Sequence, residues 1–229
     1  MTARAAGSLP LALARLGARR GQRPDEAAWR RIESLRGFAP AMEEARRTAL
    51  RPWLAGLTAD SSAAHVEATL RQHARAWVSE VADWMDPAWR DAITWCAVLA
   101  DLAALQHVAR GGALPAGLDE DPAWQALQGA APDTLAAAWF VEWQRRLPHR
   151  GDLEGEDDAL PALAALLRGQ LATGLARRAA LQARLVLLLR RAGLQPAAVF
   201  IHLALGALDG ERLRAELLRR AWFPFRKVA

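Results

Sequence analysis

The stretch from Trp89 to Ala116, WRDAITWCAVLADLAALQHVARGGALPA, constrains this chain more than any other. Between Asp91 and Arg110 the only charged side chain is Asp101, while Ile93, Trp95, Val98, Leu99, Leu102, Leu105 and Val108 cover every face of the implied helix. A helix apolar all round is a buried one. Asp86 followed by Pro87 signs its start, and Gly111-Gly112 its end. The pattern predicts a central helix over 87–110 in an all-α, multi-helix bundle. Asp101 inside that helix is costly to bury alone, so an Arg or a helix N-terminus is expected beside it, in a structural rather than catalytic role.

The exit from this helix recurs. Arg110-Gly111-Gly112-Ala113-Leu114-Pro115-Ala116 aligns without gaps to Arg191-Ala192-Gly193-Leu194-Gln195-Pro196-Ala197, 81 residues later. A shorter copy is Gly37-Phe38-Ala39-Pro40-Ala41. Glycine can close a helix in the left-handed conformation, and proline in the first turn opens the next. The copies suggest internally repeated helical subdomains, with Arg110, Gly112, Pro115, Arg191, Gly193 and Pro196 as motif positions. An Ala-rich helical chain can also repeat such punctuation by chance.

Three domain-scale segments follow from composition. Residues 1–147 read as helical subdomains around the central helix. Residues 148–158 read as a linker, since five of the seven residues from Asp152 to Asp158 are acidic. Residues 159–229 form a basic helical subdomain with a local net charge of +9, against −4 for the rest of the chain. Helices are expected at Leu9 to Arg20, Asp25 to Arg36, Pro40 to Ala55, and then up to Met85. Further helices are expected at Asp133 to Leu147, Leu160 to Ala192, Pro196 to Leu208 and Glu211 to Trp222.

Catalytic constellations are thin. The single cysteine, Cys96, excludes an intramolecular disulfide, fits a reducing compartment and sits where an inert buried thiol is expected. His65 and His73 are eight residues apart on one helix, about 12 Å along its axis, too far to share a metal. The acidic run lacks the full spacing of a calcium loop. Without a phosphate loop, a zinc motif or a triad spacing, the chain reads as non-enzymatic, with no cofactor, no metal and no small-molecule substrate. The Arg-Arg pairs read as polar helix faces rather than a nucleic-acid stripe. No stretch has the length and apolarity to cross a bilayer, and the N-terminus, interrupted by Arg15, lacks a signal-peptide core. A cytoplasmic protein, touching membranes only through partners, is expected. The clustered Arg212, Arg214, Arg219 and Arg220, with Trp222 beside them, are the expected partner interface.

Several short motifs carry a family likeness. Ala14-Arg15-Leu16-Gly17-Ala18 matches an Ala-Arg-x-x-Ala opening helix, and Glu67-Ala68-Thr69-Leu70-Arg71 an E-x-x-L-R helix. Asp101 to Arg110 follows a D-x-x-N-L-K-x-L-L-R pattern in its Asp, Leu and Arg, with Ala104 and Gln106 in place of the Asn and Lys. On these residues the chain resembles the C-subunit family of V/A-type rotary ATPases, whose counterpart in the eukaryotic V-type ATPase carries the letter d. The resemblance covers mainly residues 14–116, and the chain is short for that family. It implies repeated helical subdomains, no active site, and a connector between the central stalk and the membrane ring that carries protons or sodium ions. The alternatives are a bacterial helical regulatory or scaffold protein that binds a protein partner, and a small all-α enzyme.

Overall fold

The computed structural model describes residues 7–101, 104, 107–108, 110–114, 118, 121–127, 130, 134–148, 159–173 and 178–223. Among these residues the chain forms ten α-helices and no strand: α1 (Leu9–Arg20), α2 (Glu26–Ser34), α3 (Phe38–Arg46), α4 (Ala63–Trp84), α5 (Arg90–Trp95), α6 (Pro122–Gln125), α7 (Leu135–Arg146), α8 (Ala159–Thr173), α9 (Arg178–Ala192) and α10 (Ala197–Trp222). The all-α expectation holds. Helix starts follow the polar punctuation: Ser8, Asp25 and Ser62 accept hydrogen bonds from the backbone N–H groups of Leu11, Ala28 and His65, three residues on.

The expected central helix is not one α-helix. Residues Pro87–Trp89 form a 3₁₀ turn, α5 covers six residues, and Cys96–Asp101 winds as 3₁₀ again. Apolarity on every face is met by burial, since Ile93, Val98 and Leu99 are all in the core. It offers no phase to favour α over 3₁₀ winding, so tertiary contacts decide. The organising element is α10 instead. It touches α1, α3, α4, α8, α9 and the Cys96–Asp101 turn.

α10 runs unbroken through Asp209-Gly210, where the sequence suggested two helices. Its glycines are contact sites rather than breaks. A Cβ on Gly206 would stand 2.1 Å from the indole of Trp77, and one on Gly210 would stand 2.7 Å from that of Trp53. Two glycines one turn apart thus let two tryptophans lie against the helix backbone.

The core has two lobes, and α10 enters both. The larger joins α1, α4, α5, α7, α8 and α9 to Ala197–Leu208 of α10. The smaller gathers Trp29, Ile32, Met42, Leu54 and Leu70 around Leu213, Leu217 and Leu218. Residues 159–223 therefore share cores with the N-terminal helices, and the expected division at residue 148 does not describe the packing. The linker itself, apart from Pro148, lies outside the described residues.

The repeated helix exits also differ in register. The left-handed glycines are Gly111 (φ +83°) and Gly193 (φ +54°), which are offset by one position in the sequence alignment. At the first exit the Gly112 N–H donates to the His107 carbonyl and the Gly111 N–H to that of Val108, a Schellman-type closure. Gly37, at φ −86°, precedes α3 instead of closing a helix. The likeness is one of punctuation, not of backbone. Arg110 and Arg191 are exposed, Pro196 precedes α10, and Pro115 lies outside the described residues.

Candidate functional site

Charged side chains expected to face a partner are mostly engaged within the chain. The Arg212 guanidinium binds Glu26 at 3.0 Å and Glu33 at 2.6 Å while lying over the Trp29 ring. The hydrogen bond from Arg212 holds the Glu26 carboxyl below its ordinary range. Arg214 reaches Glu67 at 2.5 Å and Glu211 at 3.5 Å. Arg220 is 1% exposed and donates to the carbonyls of Ile32, Glu33 and Leu35, closing the C-terminus of α2. The interface expectation is corrected for these three, because burial on α10 demands partners that the N-terminal helices supply. Arg219 and Trp222 remain exposed, Trp222 at 64%, next to Phe223 at 77%.

Asp101 has the partners its burial requires. Its carboxylate sits between Arg71 and Arg75 of α4, at 2.7 and 3.1 Å. The Arg71 Nε–H is in ion-pair range of Asp101 but not aligned on it. Arg75 also pairs with Asp121, and Arg71 with Glu67 at 3.2 Å. Through Glu67 and Arg214 this chain of alternating charges continues to Glu211. It braces α4 against α10, the Cys96–Asp101 turn and the start of α6. Burial raises the Glu211 carboxyl despite Arg214 and Arg178.

A second constellation surrounds a half-open cavity of about 630 Å³. The end of α1 and the turn after it bring Arg19, Arg20 and Arg23; α4 brings His73, Trp77 and Glu80; the turn before α4 brings Trp53; α10 brings His202, Gly206 and Asp209. Trp53 and Trp77 meet with ring centroids 5.8 Å apart, tilted by 53°. Arg19 is held by Glu80 through two N–H donors at 2.8 and 3.0 Å. Arg23 is held by Asp209 at 2.6 and 2.9 Å. Burial raises the Asp209 carboxyl, opposed by that hydrogen bond.

The two histidines of the cavity differ. His73 Nε2 donates to the Ala55 carbonyl at 3.0 Å, as His65 does to that of Gly56, so both fix the chain before α4. His202 is pushed down to about 4, first by burial and then by the charges of Arg20 and Arg23. It is neutral at pH 7. In the sequence His202 stands alone and nothing singles out Arg20 or Arg23, because the constellation joins residues some 180 positions apart. The only local sign is the pair of glycines in an otherwise well-formed helix.

Cys96 is buried, donates to the Ala92 carbonyl at 3.4 Å, and has its thiol pushed up by burial. It is not a thiolate nucleophile. Among the described residues no group of three or more His, Cys, Asp or Glu could hold a metal, and no helix is long and apolar enough to cross a membrane. Compared with protein-family models, curated proteins and solved structures, the chain matches none.

Proposed function

We propose that this chain is a non-catalytic helical connector that docks a protein partner and holds its own shape while doing so. The observation that supports this reading is the alternating ion chain from Asp121 through Asp101 to Glu211, which braces four parts of the fold without offering a reactive group. Buried pairs of this kind contribute little net stability, but losing one partner leaves an isolated charge. They favour one arrangement of helices over its neighbours, which is what a part that transmits position requires. The partner would meet the free end of α10, where Arg219, Trp222 and Phe223 are exposed at the tip of the helix that threads both cores.

A connector between the stalk and membrane ring of a rotary ATPase is the specific form that the motif resemblance suggests. Capture by tagged wild-type and Trp222→Ala chains, from native membranes and from the soluble fraction, tests both levels. A partner recovered with the wild type and lost with Trp222→Ala supports docking through α10. Stalk and ring proteins in that set support the rotary reading. An identical set of proteins with both chains would contradict the docking site.

A further inference from the structure

The cavity between α1, α4 and α10 carries a chemistry that a connector does not need. Its charged lining consists of Arg19, Arg20 and Arg23 against Glu80 and Asp209, with His73 and His202 as the remaining titratable groups. Two of the guanidiniums are matched to the two carboxylates by paired hydrogen bonds. Arg20 has no ion pair among the described residues, and three guanidiniums against two carboxylates leave the lining one formal positive charge in excess. His202 faces the same space with ring nitrogens that no described residue engages, and it lies close enough to feel the charge of Arg20. The lining also has an aromatic part: Trp77 rests on Gly206 and Trp53 on Gly210, which fixes both indoles. The volume of about 630 Å³ falls within the ordinary range for small-molecule sites, roughly 300 to 1,000 Å³.

We infer that this cavity binds a flat, aromatic monocarboxylate, its ring against Trp53 and Trp77 and its carboxylate on Arg20 and His202. One negative charge balances the lining. A dianion such as phosphate would meet Glu80 and Asp209 in the walls with a single unpaired guanidinium to offset them, and a neutral ring would leave Arg20 unmatched. A guanidinium accepts a planar carboxylate on two N–H donors, and indole faces favour a second ring in offset or tilted contact. On the connector reading proposed above, the ligand would act as an effector.

Binding is linked to His202. The ligand carboxylate offsets the Arg20 and Arg23 charges that help keep this imidazole neutral, so the complex takes up a proton more readily than the free chain. Affinity therefore rises as pH falls toward the titration of His202, which stands at about 4 in the free chain and moves upward in the complex, with Glu80 and Asp209 the carboxyl groups that share the lining.

Calorimetric titration of the full chain with 1-naphthoate tests this, with 1-naphthalenemethanol as the neutral counterpart. The expected result is one site per chain, at least about tenfold weaker binding of the alcohol, and a similar loss for naphthoate in Arg20→Gln. Arg20 lies exposed at the end of α1, so that variant keeps the fold. His202→Gln is expected to bind with the pH dependence gone. Saturation-transfer NMR on Trp77→Leu locates the ring. No heat with naphthoate, equal binding of the alcohol, or undiminished binding to Arg20→Gln would each overturn the assignment.

Discussion

Arg219 and Arg220 are neighbours in sequence with opposite fates. Arg219 is over half exposed and pairs with Glu216 one turn away, whereas Arg220 is buried and answers three carbonyls at the end of α2. An exposed pair of this kind is worth a few tenths of a kcal/mol, but removing a buried charged donor leaves its carbonyl acceptors short of a partner. Arg220→Met is expected to lower stability by about 3 kcal/mol and Arg219→Met by less than about 0.5 kcal/mol, read from urea unfolding. The sequence could not separate the two, because both stand in one run of charges and only the position of α2 distinguishes them. His202 offers a pH test at the same scale. Its value of about 4 in the folded chain against 6.5 ordinarily means that the unfolded chain binds the proton first on acidification. The His202 contribution is present above pH 6.5 and lost as pH falls toward 4. Unfolding curves at pH 7 and pH 4.5 should therefore differ less in His202→Gln than in the wild type, the comparison cancelling the opposite trends of Asp209 and Glu211.

Helices were legible where an amphipathic phase and a cap coincide. α1 spans the residues expected of it, and α4 starts from Ser62 as a polar cap should. The expected helix from Pro40 to Ala55 divides into α3 and a 3₁₀ turn at Arg51–Leu54, where Pro52 supplies no N–H for an α-type bond. The central stretch misled for a different reason: uniform apolarity reports burial but not winding. Gly210 misled as a breaker because the indole of Trp53, which fills its missing side chain, comes from a residue more than 100 positions away. This gives a contrast between glycines in equally helical settings. Gly17→Ala meets open space on α1 and should raise stability by roughly 0.5 to 1 kcal/mol. Gly206→Ala drives a methyl into Trp77 and should lower it by about 1 to 3 kcal/mol, with a changed near-ultraviolet signal from the displaced indole. Thermal melts of the two variants check the difference in sign.

Across the whole molecule, the charge asymmetry of the sequence folds back on itself. A C-terminal third of local charge +9 and a remainder of −4 suggested an outward basic face. In space Arg212 and Arg214 of that third meet Glu26, Glu33 and Glu67 of the other part, so part of the imbalance goes into holding α10 to α2 and α4. The acidic partners were visible in the sequence, but their distance along the chain hid the pairing. The same helix carries Ala197–Leu208 into the larger core and Leu213, Leu217 and Leu218 into the smaller. A rigid connector requires that these two lobes open together. Native-state hydrogen exchange along α10 measures this most directly. In a rigid connector, amides of 199–208 and 213–218 exchange through one opening, with equal free energies matching that of global unfolding. If 213–218 exchanged together with α2 and α3 at a free energy lower by about 1.4 kcal/mol or more, a tenfold difference in opening, the lobes would be independent and the chain would not be a rigid connector.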